Sequence, residues 1–464
     1  MLFNSFVFLL AFLPITYVVF WSLKTASARY VWLTLTGYVF YGYWDARFCL
    51  LMAFSTLVSF MAGLGFLRWS DPRRRRLCLI IPIVLDLALL GFFKYANLMI
   101  ESVAGLVTAL GGNVTPPELN IVLPIGISFY TFHTISYIVD SYRGVIRPTR
   151  NLFEFSAYVS LFSQLVAGPI VRFRQIETDL ENLGSAHRTR WLALGVSWFL
   201  TGLVEKVIIA DSLAAFVDPA LASHESLSSV GAWMAMLGYT FQLYFDFAGY
   251  SDMAVGLGLM FGLRIPINFN APYKALDPSD FWRRWHISLS SCLRDYVYIP
   301  LGGNRISELV TYRNLMLTML IGGLWHGASW TFVAWGAYHG VLLSAHRKFG
   351  VSWDRLSPVV RQLGMFFAVV FGWVLFRSTS FSMAGALTKK MLSPVGGATV
   401  QNVTAFLVFL TIAAAWSMAG PNAVDLHEEW KWRRRRGFAL AGALGACVAV
   451  MAGSGNSPFL YFQF

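Results

Sequence analysis

Along the chain, long apolar stretches alternate with short polar connections: Leu2 to Leu23, Tyr30 to Trp44, Phe48 to Leu67, Leu77 to Ile100, Ile121 to Tyr142, Trp191 to Val217, Val230 to Leu263, Leu315 to Leu343, Leu363 to Phe376, Val403 to Met418 and Phe438 to Met451. At about 20 apolar residues per crossing, this rhythm predicts an all-α polytopic membrane protein with roughly 11 or 12 transmembrane helices. The first run lacks the basic leader and small-residue cleavage site of a secretory signal, so it is expected to stay as a first helix. One shorter run, Leu152 to Val166, has Arg147 and Arg150 before it and Arg172 and Arg174 after it. With basic residues on both sides it is expected to be re-entrant or to lie on the surface.

The segment Asn268 to Asn304 breaks the membrane pattern. Pro266, Pro272 and Pro278 punctuate it, and Asp277 can cap a helix whose first position is Pro278. A short helix from Ser279 to about Asp295 is predicted. It places Trp282, Trp285, His286 and Leu289 on an apolar face among Arg283, Arg284, Arg294 and Asp295. Such a segment suits either the membrane surface or the wall of a polar cavity inside protein.

Composition strengthens this picture. The chain has 464 residues, 56% of them hydrophobic and only 13% charged, where soluble domains carry about 25%. That excludes a soluble multidomain enzyme. The formal charge of +12 would suggest nucleic acid in a soluble protein. Here the bases cluster between apolar runs, at Arg73 to Arg76, Arg143 to Arg150 and Arg433 to Arg436, as cytoplasmic loops do, so no nucleic-acid partner is expected. The stretches Tyr95 to Ser141 and Val207 to Leu263 contain no Lys or Arg, which puts their internal turns outside and, by alternation, the N-terminus outside. Cys49, Cys78, Cys292 and Cys447 are widely separated and form no metal or redox pair, and no metal site is expected.

Histidine supplies the candidate chemistry. His187, His224 and His427 sit in polar connections and are expected to be solvated; His133 suits helix packing or a cavity. His339 and His346 lie seven apart on one helical face, which is weak support for a metal without further ligands. His326 differs, because it stands in the apolar, glycine-flanked sequence Gly322-Gly323-Leu324-Trp325-His326-Gly327. An ionisable group at that depth is costly, so a cavity-lining role is its default. His286 lies among tryptophans on a face that packs inward and needs a partner or a substrate. Asp246 and Asp252, in an apolar run with no base, either pair with groups on other helices or line the cavity. Neither a nucleophile elbow nor a phosphate loop occurs, so acyl transfer would proceed by direct attack of an acceptor hydroxyl.

Several motifs in order resemble a known family: Tyr244 to Asp252, Phe281 to Ser288, Leu301-Gly302-Gly303-Asn304-Arg305 and Gly323 to Gly327. Together they are similar to the membrane-bound O-acyltransferases, in particular the bacterial branch that contains alginate O-acetyltransferase. The motif-rich region is 239–340, and weaker similarity extends over nearly all of 1–464, read as one domain. The resemblance implies a funnel of helices with a central pore and two histidines near its waist, with the family's invariant histidine at His326 and its second polar residue at His286. His326 would be the general base, and His286 would bind or polarise the thioester carbonyl or hold its sulfur. Trp282, Arg284, Trp285, Trp325, Asp246 and Asp252 are the expected substrate and tunnel residues.

The resemblance further implies a bacterial inner-membrane enzyme with no bound cofactor. Its donor would be a cytoplasmic acetyl thioester, either acetyl-coenzyme A or an acyl carrier. Its partners would be membrane lipid and periplasmic or membrane-anchored acetyltransferases that pass the group to an exopolysaccharide. The chain ends at Phe464 without the longer tail of alginate-specific relatives, so cellulose is as suitable as alginate. The alternative is a transporter of an acylated or lipid-linked molecule that makes and breaks no bond, but the paired broken segments of transporter halves are missing. The charge pattern makes a direct prediction: an impermeant thiol reagent added outside labels a cysteine placed at Asn113 and leaves one at Arg75 unmodified. The reverse pattern would invert the orientation.

Overall fold

In the computed structural model, residues 1–117, 119–186, 189, 191–427, 433–454 and 459–460 are described; Glu118, at the edge of an expected outer loop, and His187 lie outside them. Among these residues the regular secondary structure is helical, and one isolated bridge, Leu227 to Ala398, takes the place of any strand. Five helical stretches are long and apolar enough to cross a membrane: Ala46–Arg68, Pro72–Ala109, Leu192–Ala222, Pro358–Arg377 and Arg434–Gly453, while Phe8–Ser22 and Val403–Met418 are shorter. Many large apolar side chains point outward, Leu50, Leu57, Met61, Ile81 and Val84 among them. Such a surface belongs in lipid, so the protein is an all-α polytopic membrane protein. Two compact units make up the chain, Met1–Leu192 with Gly258–Pro266, and Ala193–Leu257 with Ile267–Phe464.

The first unit contains α1 (Leu13–Ser22), α2 (Ala26–Gly42), α3 (Cys49–Arg68), α4 (Pro72–Leu90), α5 (Ala96–Ala109), α6 (Ile127–Tyr142), α7 (Leu152–Val159) and α8 (Phe173–Glu181). Asp86 of α4 ties three helices together, accepting from Ser55 Oγ of α3 at 2.6 Å and Thr134 Oγ1 of α6 at 2.7 Å. A buried carboxylate held by two hydroxyls fixes register where apolar packing alone would allow sliding. Of the two expectations for Leu152 to Val166, re-entrant or surface-lying, the surface position is excluded, since residues 155–173 are buried inside this unit. Gly37 of α2 makes the room: a Cβ there would lie 1.9 Å from the Ser160 carbonyl oxygen. Tyr158 Oη then donates to Val171 O at 3.0 Å and Gln164 Nε2 to Tyr158 O at 2.6 Å, which satisfies the non-helical backbone.

In the second unit, α9 (Leu192–Val204) runs through a π turn, Glu205–Ala210, into α10 (Asp211–Ala222) and lies against α11 (Ser229–Met260). Glycines form the seam. A Cβ at Gly202 would meet Gly249 O at 2.3 Å, and one at Gly256 would meet Gly195 O at 2.5 Å. Small residues bring helices this close in membranes. After the short helices α12 (Pro278–Arg284) and α13 (Ile287–Leu293) come α14 (Glu308–His326) and α15 (Trp330–Asp354), an antiparallel hairpin, followed by α16 (Pro358–Arg377), α17 (Phe381–Leu392), α18 (Val403–Met418), α19 (Ala423–His427) and α20 (Arg434–Ser454).

The hairpin is in backbone contact along its length. A Cβ at Gly323 would lie 2.3 Å from Phe332 O, and one at Gly336 would lie 2.3 Å from Met319 O. Gly336→Ala is therefore expected to destabilise the protein by about 1–3 kcal/mol, the usual cost of overpacking. A lower melting temperature in detergent checks it; an unchanged one would show that the seam yields freely.

Candidate active site

The site is built around a helix that cannot continue. In place of one helix from Ser279 to Asp295, α12 ends at Arg284, and His286 adopts the left-handed conformation, φ 44° and ψ 54°, before α13 begins. That backbone is unfavourable for a residue with a side chain, so neighbouring bonds must hold it. Asn268 provides them. Its backbone carbonyl accepts from Ile287 N at 2.9 Å, and its side-chain Oδ1 accepts from Ser288 N at 3.1 Å and Ser288 Oγ at 2.8 Å. Two residues on, Asn270 N donates to Arg284 O at 2.9 Å, clamping the other side of the break. His286 therefore leaves the helical face predicted for it and projects from a kink.

This network also settles the state of the imidazole. Oδ1 of Asn268 already accepts a backbone N–H, so it is the carboxamide oxygen and only accepts. His286 Nδ1, 3.1 Å away, must be the donor. A neutral His286 then carries its lone pair on Nε2, which is buried and has no hydrogen-bond partner among the described residues. Its ring meets Phe247 edge-on at 4.7 Å, and Trp325 and His326 at 5.7 and 6.1 Å.

His326 is the last residue of α14, where Gly327 turns the chain into α15. It is 3% exposed and enclosed by Trp335 at 5.0 Å, Trp325 at 5.1 Å and Phe376 at 5.3 Å. The ring centres of His286 and His326 thus stand 6.1 Å apart within one aromatic surround. Of the other expected residues, Trp325 joins the two histidines directly. Trp282 packs on Trp335 at 5.7 Å, and Trp285 sits between Phe269 and Trp373 at 5.0 and 4.8 Å, forming the aromatic surround.

Three expected site residues have other engagements. Arg284 is paired with Asp280 at 3.0 Å and with Asn270 O at 3.2 Å. Asp246 pairs with Lys206 at 2.5 Å and accepts from Leu460 N at 2.9 Å. Asp252 neighbours Glu205 of the π turn, across the glycine seam between α9 and α11. Both aspartates thus take the helix-pairing role, and Lys206 lies one residue outside the base-free interval. His427 is likewise not solvated as expected: it is buried, stacks on Trp198 at 4.6 Å, donates from Nδ1 to Ala423 O at 2.6 Å and receives Ser197 Oγ at 2.8 Å. Its place in a short polar connection concealed this.

The protein thus holds two neighbouring buried histidines inside a sheath of aromatic rings, one of them presented by a hydrogen-bonded kink. Residues 121–412 match the model of the membrane-bound O-acyltransferase family. The chain is 45% identical over 396 residues, 85% of it and 75% of the relative, to the probable alginate O-acetylase AlgI of Pseudomonas aeruginosa. It is 40% identical to the protein of the same description from Azotobacter vinelandii, with both chains covered completely. With the peptidoglycan O-acetyltransferase of Helicobacter pylori it shares 37% identity over 84% of this chain and 80% of that one. The chain belongs to the membrane-bound O-acyltransferase family and is an O-acyltransferase.

Asn268 is the residue that sequence reasoning passed over. Asn268→Leu removes the acceptor for His286 Nδ1 and for Ser288, and is expected to lower kcat about a hundredfold, the usual effect of misplacing a reacting group by about 1 Å. Kinetics on folded, purified variant check this. Wild-type turnover would mean that the break in the helix positions nothing.

Proposed function

We propose that residues 1–464 form one catalytic domain that acetylates an exopolysaccharide system from the bacterial inner membrane. The donor is an acetyl thioester reaching the site from the cytoplasm, carried by coenzyme A or by an acyl carrier protein. The acceptor arrives from the outer face through a pore between helices, and periplasmic or membrane-anchored acetyltransferases carry the group onward to a polymer of the alginate or cellulose type. The reading rests chiefly on one observation, the 6.1 Å approach of the buried His286 and His326 rings.

In the reaction the acceptor oxygen bonds to the thioester carbonyl carbon, the carbon–sulfur bond breaks, and the hydroxyl proton ends on the thiol. No proton is gained or lost overall. His326 is the base that takes the hydroxyl proton. His286, with its lone pair on Nε2, does not polarise a carbonyl while neutral; it receives a proton, and the two imidazoles hold that proton until the sulfur leaves. Trp282, Trp285, Trp325 and Trp335 exclude water, which would otherwise hydrolyse the thioester. No bound cofactor is required.

Purified protein in vesicles with labelled acetyl thioester, scored for thiol release and covalent acetyl product, tests this. His326→Ala is expected to lose about 10²–10⁴ in rate while still inserting normally. Near-normal turnover in that variant would remove His326 as the base, and movement of label without bond cleavage would make the protein a transporter.

A further inference from the structure

His339 has no part in the chemistry above, yet it stands beside it. It lies on α15, one helical turn beyond Trp335, whose ring is 4.9 Å from His339 on one side and 5.0 Å from His326 on the other. Phe281 stacks parallel to it at 6.0 Å and Trp282 meets it edge-on at 5.2 Å, so it also touches the helix that leads to His286. The side chain is 0% exposed, and neither ring nitrogen has a hydrogen-bond partner among the described residues. The indole N–H groups of Trp282 and Trp335 are buried without a partner as well. The residue opposite is Gly372 of α16, where a Cβ would stand 3.1 Å from His339 Nε2.

An apolar side chain would fill this position without cost if packing were its whole purpose. A buried imidazole with both nitrogens unmet, beside two unmet indole donors, is a surface prepared for a ligand rich in hydrogen-bond acceptors. The direction of α15 indicates which ligand. From Trp330, beside His326, the helix runs to His346, Arg347 and Lys348, with Arg355 just past its end. This basic end faces the cytoplasm by the positive-inside rule. His339 therefore lies on the donor's side of His326, about 13 Å along the helix from Trp330.

We propose that His339 hydrogen-bonds an amide group of the thioester donor's arm, with Trp282 and Trp335 donating to its carbonyl oxygens, and so holds the thioester at His326. Coenzyme A and acyl carrier proteins share this amide-bearing pantetheine arm, and the contact serves either. The inference rests on the reading of His326 as the transfer site.

The test pairs variants of equal shape and unequal hydrogen bonding, His339→Gln with His339→Met and His339→Asn with His339→Leu, against S-acetylpantetheine and S-acetyl-2-mercaptoethanol, which lacks the amides. Wild type is expected to prefer the amide-bearing donor. One lost hydrogen bond is worth about tenfold, so Met or Leu should cut that preference roughly tenfold while Gln or Asn retains most of it, with little change for the short donor. Equal preference in the two members of both pairs would overturn the proposal and leave His339 as packing. Wild type that turns over neither donor would instead defeat the underlying transfer reading. Acetyl-coenzyme A and an acetylated carrier protein, assayed in parallel, identify which source the same contact serves.

Discussion

The bonds around the Asn268 carboxamide are the constraint on which the site depends. A backbone at φ 44° is costly for histidine, and its retention requires that the surroundings determine it several times over. One asparagine does this by accepting from His286 Nδ1, Ser288 N and Ser288 Oγ while its own Nδ2 donates to Ser251 Oγ of α11 at 3.2 Å. Conformation, tautomer and anchorage of the imidazole thus share one cause. Removing that group would release all three together.

A second buried polar system, beside the first on α11, does different work. Lys206 is ion-paired with Asp211 and Asp246, and Glu205 neighbours Asp252. From the π turn at Glu205–Ala210 both residues reach α11, Lys206 at Asp246 and Glu205 beside Gly249. Unpaired charge is expensive at membrane depth, and here Asp211 and Asp246 both pair with the buried Lys206. These groups hold α11 against the π turn, and α11 in turn carries Phe247 against His286.

Much of this was legible in the sequence. Apolar runs and clustered bases announced a polytopic helical protein, and the ordered motifs announced the family. What remained hidden depends on partners far apart in the chain. Periodicity made His286 a helical residue because nothing local signals the break; the cause lies 18 residues earlier, at Asn268. Lys206 escaped notice because it adjoins the base-free interval that made Asp246 conspicuous. His427 looked solvated because its connection is polar, and Ser197, which bonds it, is 230 residues away. His339 was visible only as half of a weak metal pair.

The α14 and α15 hairpin has a further consequence. Its helices touch backbone to backbone at Gly323 and Gly336, where no side chain can repack to let one slide past the other. The distance from the basic end of α15 to the turn that bears His326 is therefore fixed; Trp330 to Lys348 alone covers about 27 Å of helix. The hairpin is a rigid ruler between its basic end and the turn that bears His326. On the proposed reading of His326, a thioester donor would deliver its carbon only if its arm matched that length, and reach, rather than affinity for the acyl group, would be the first criterion it meets.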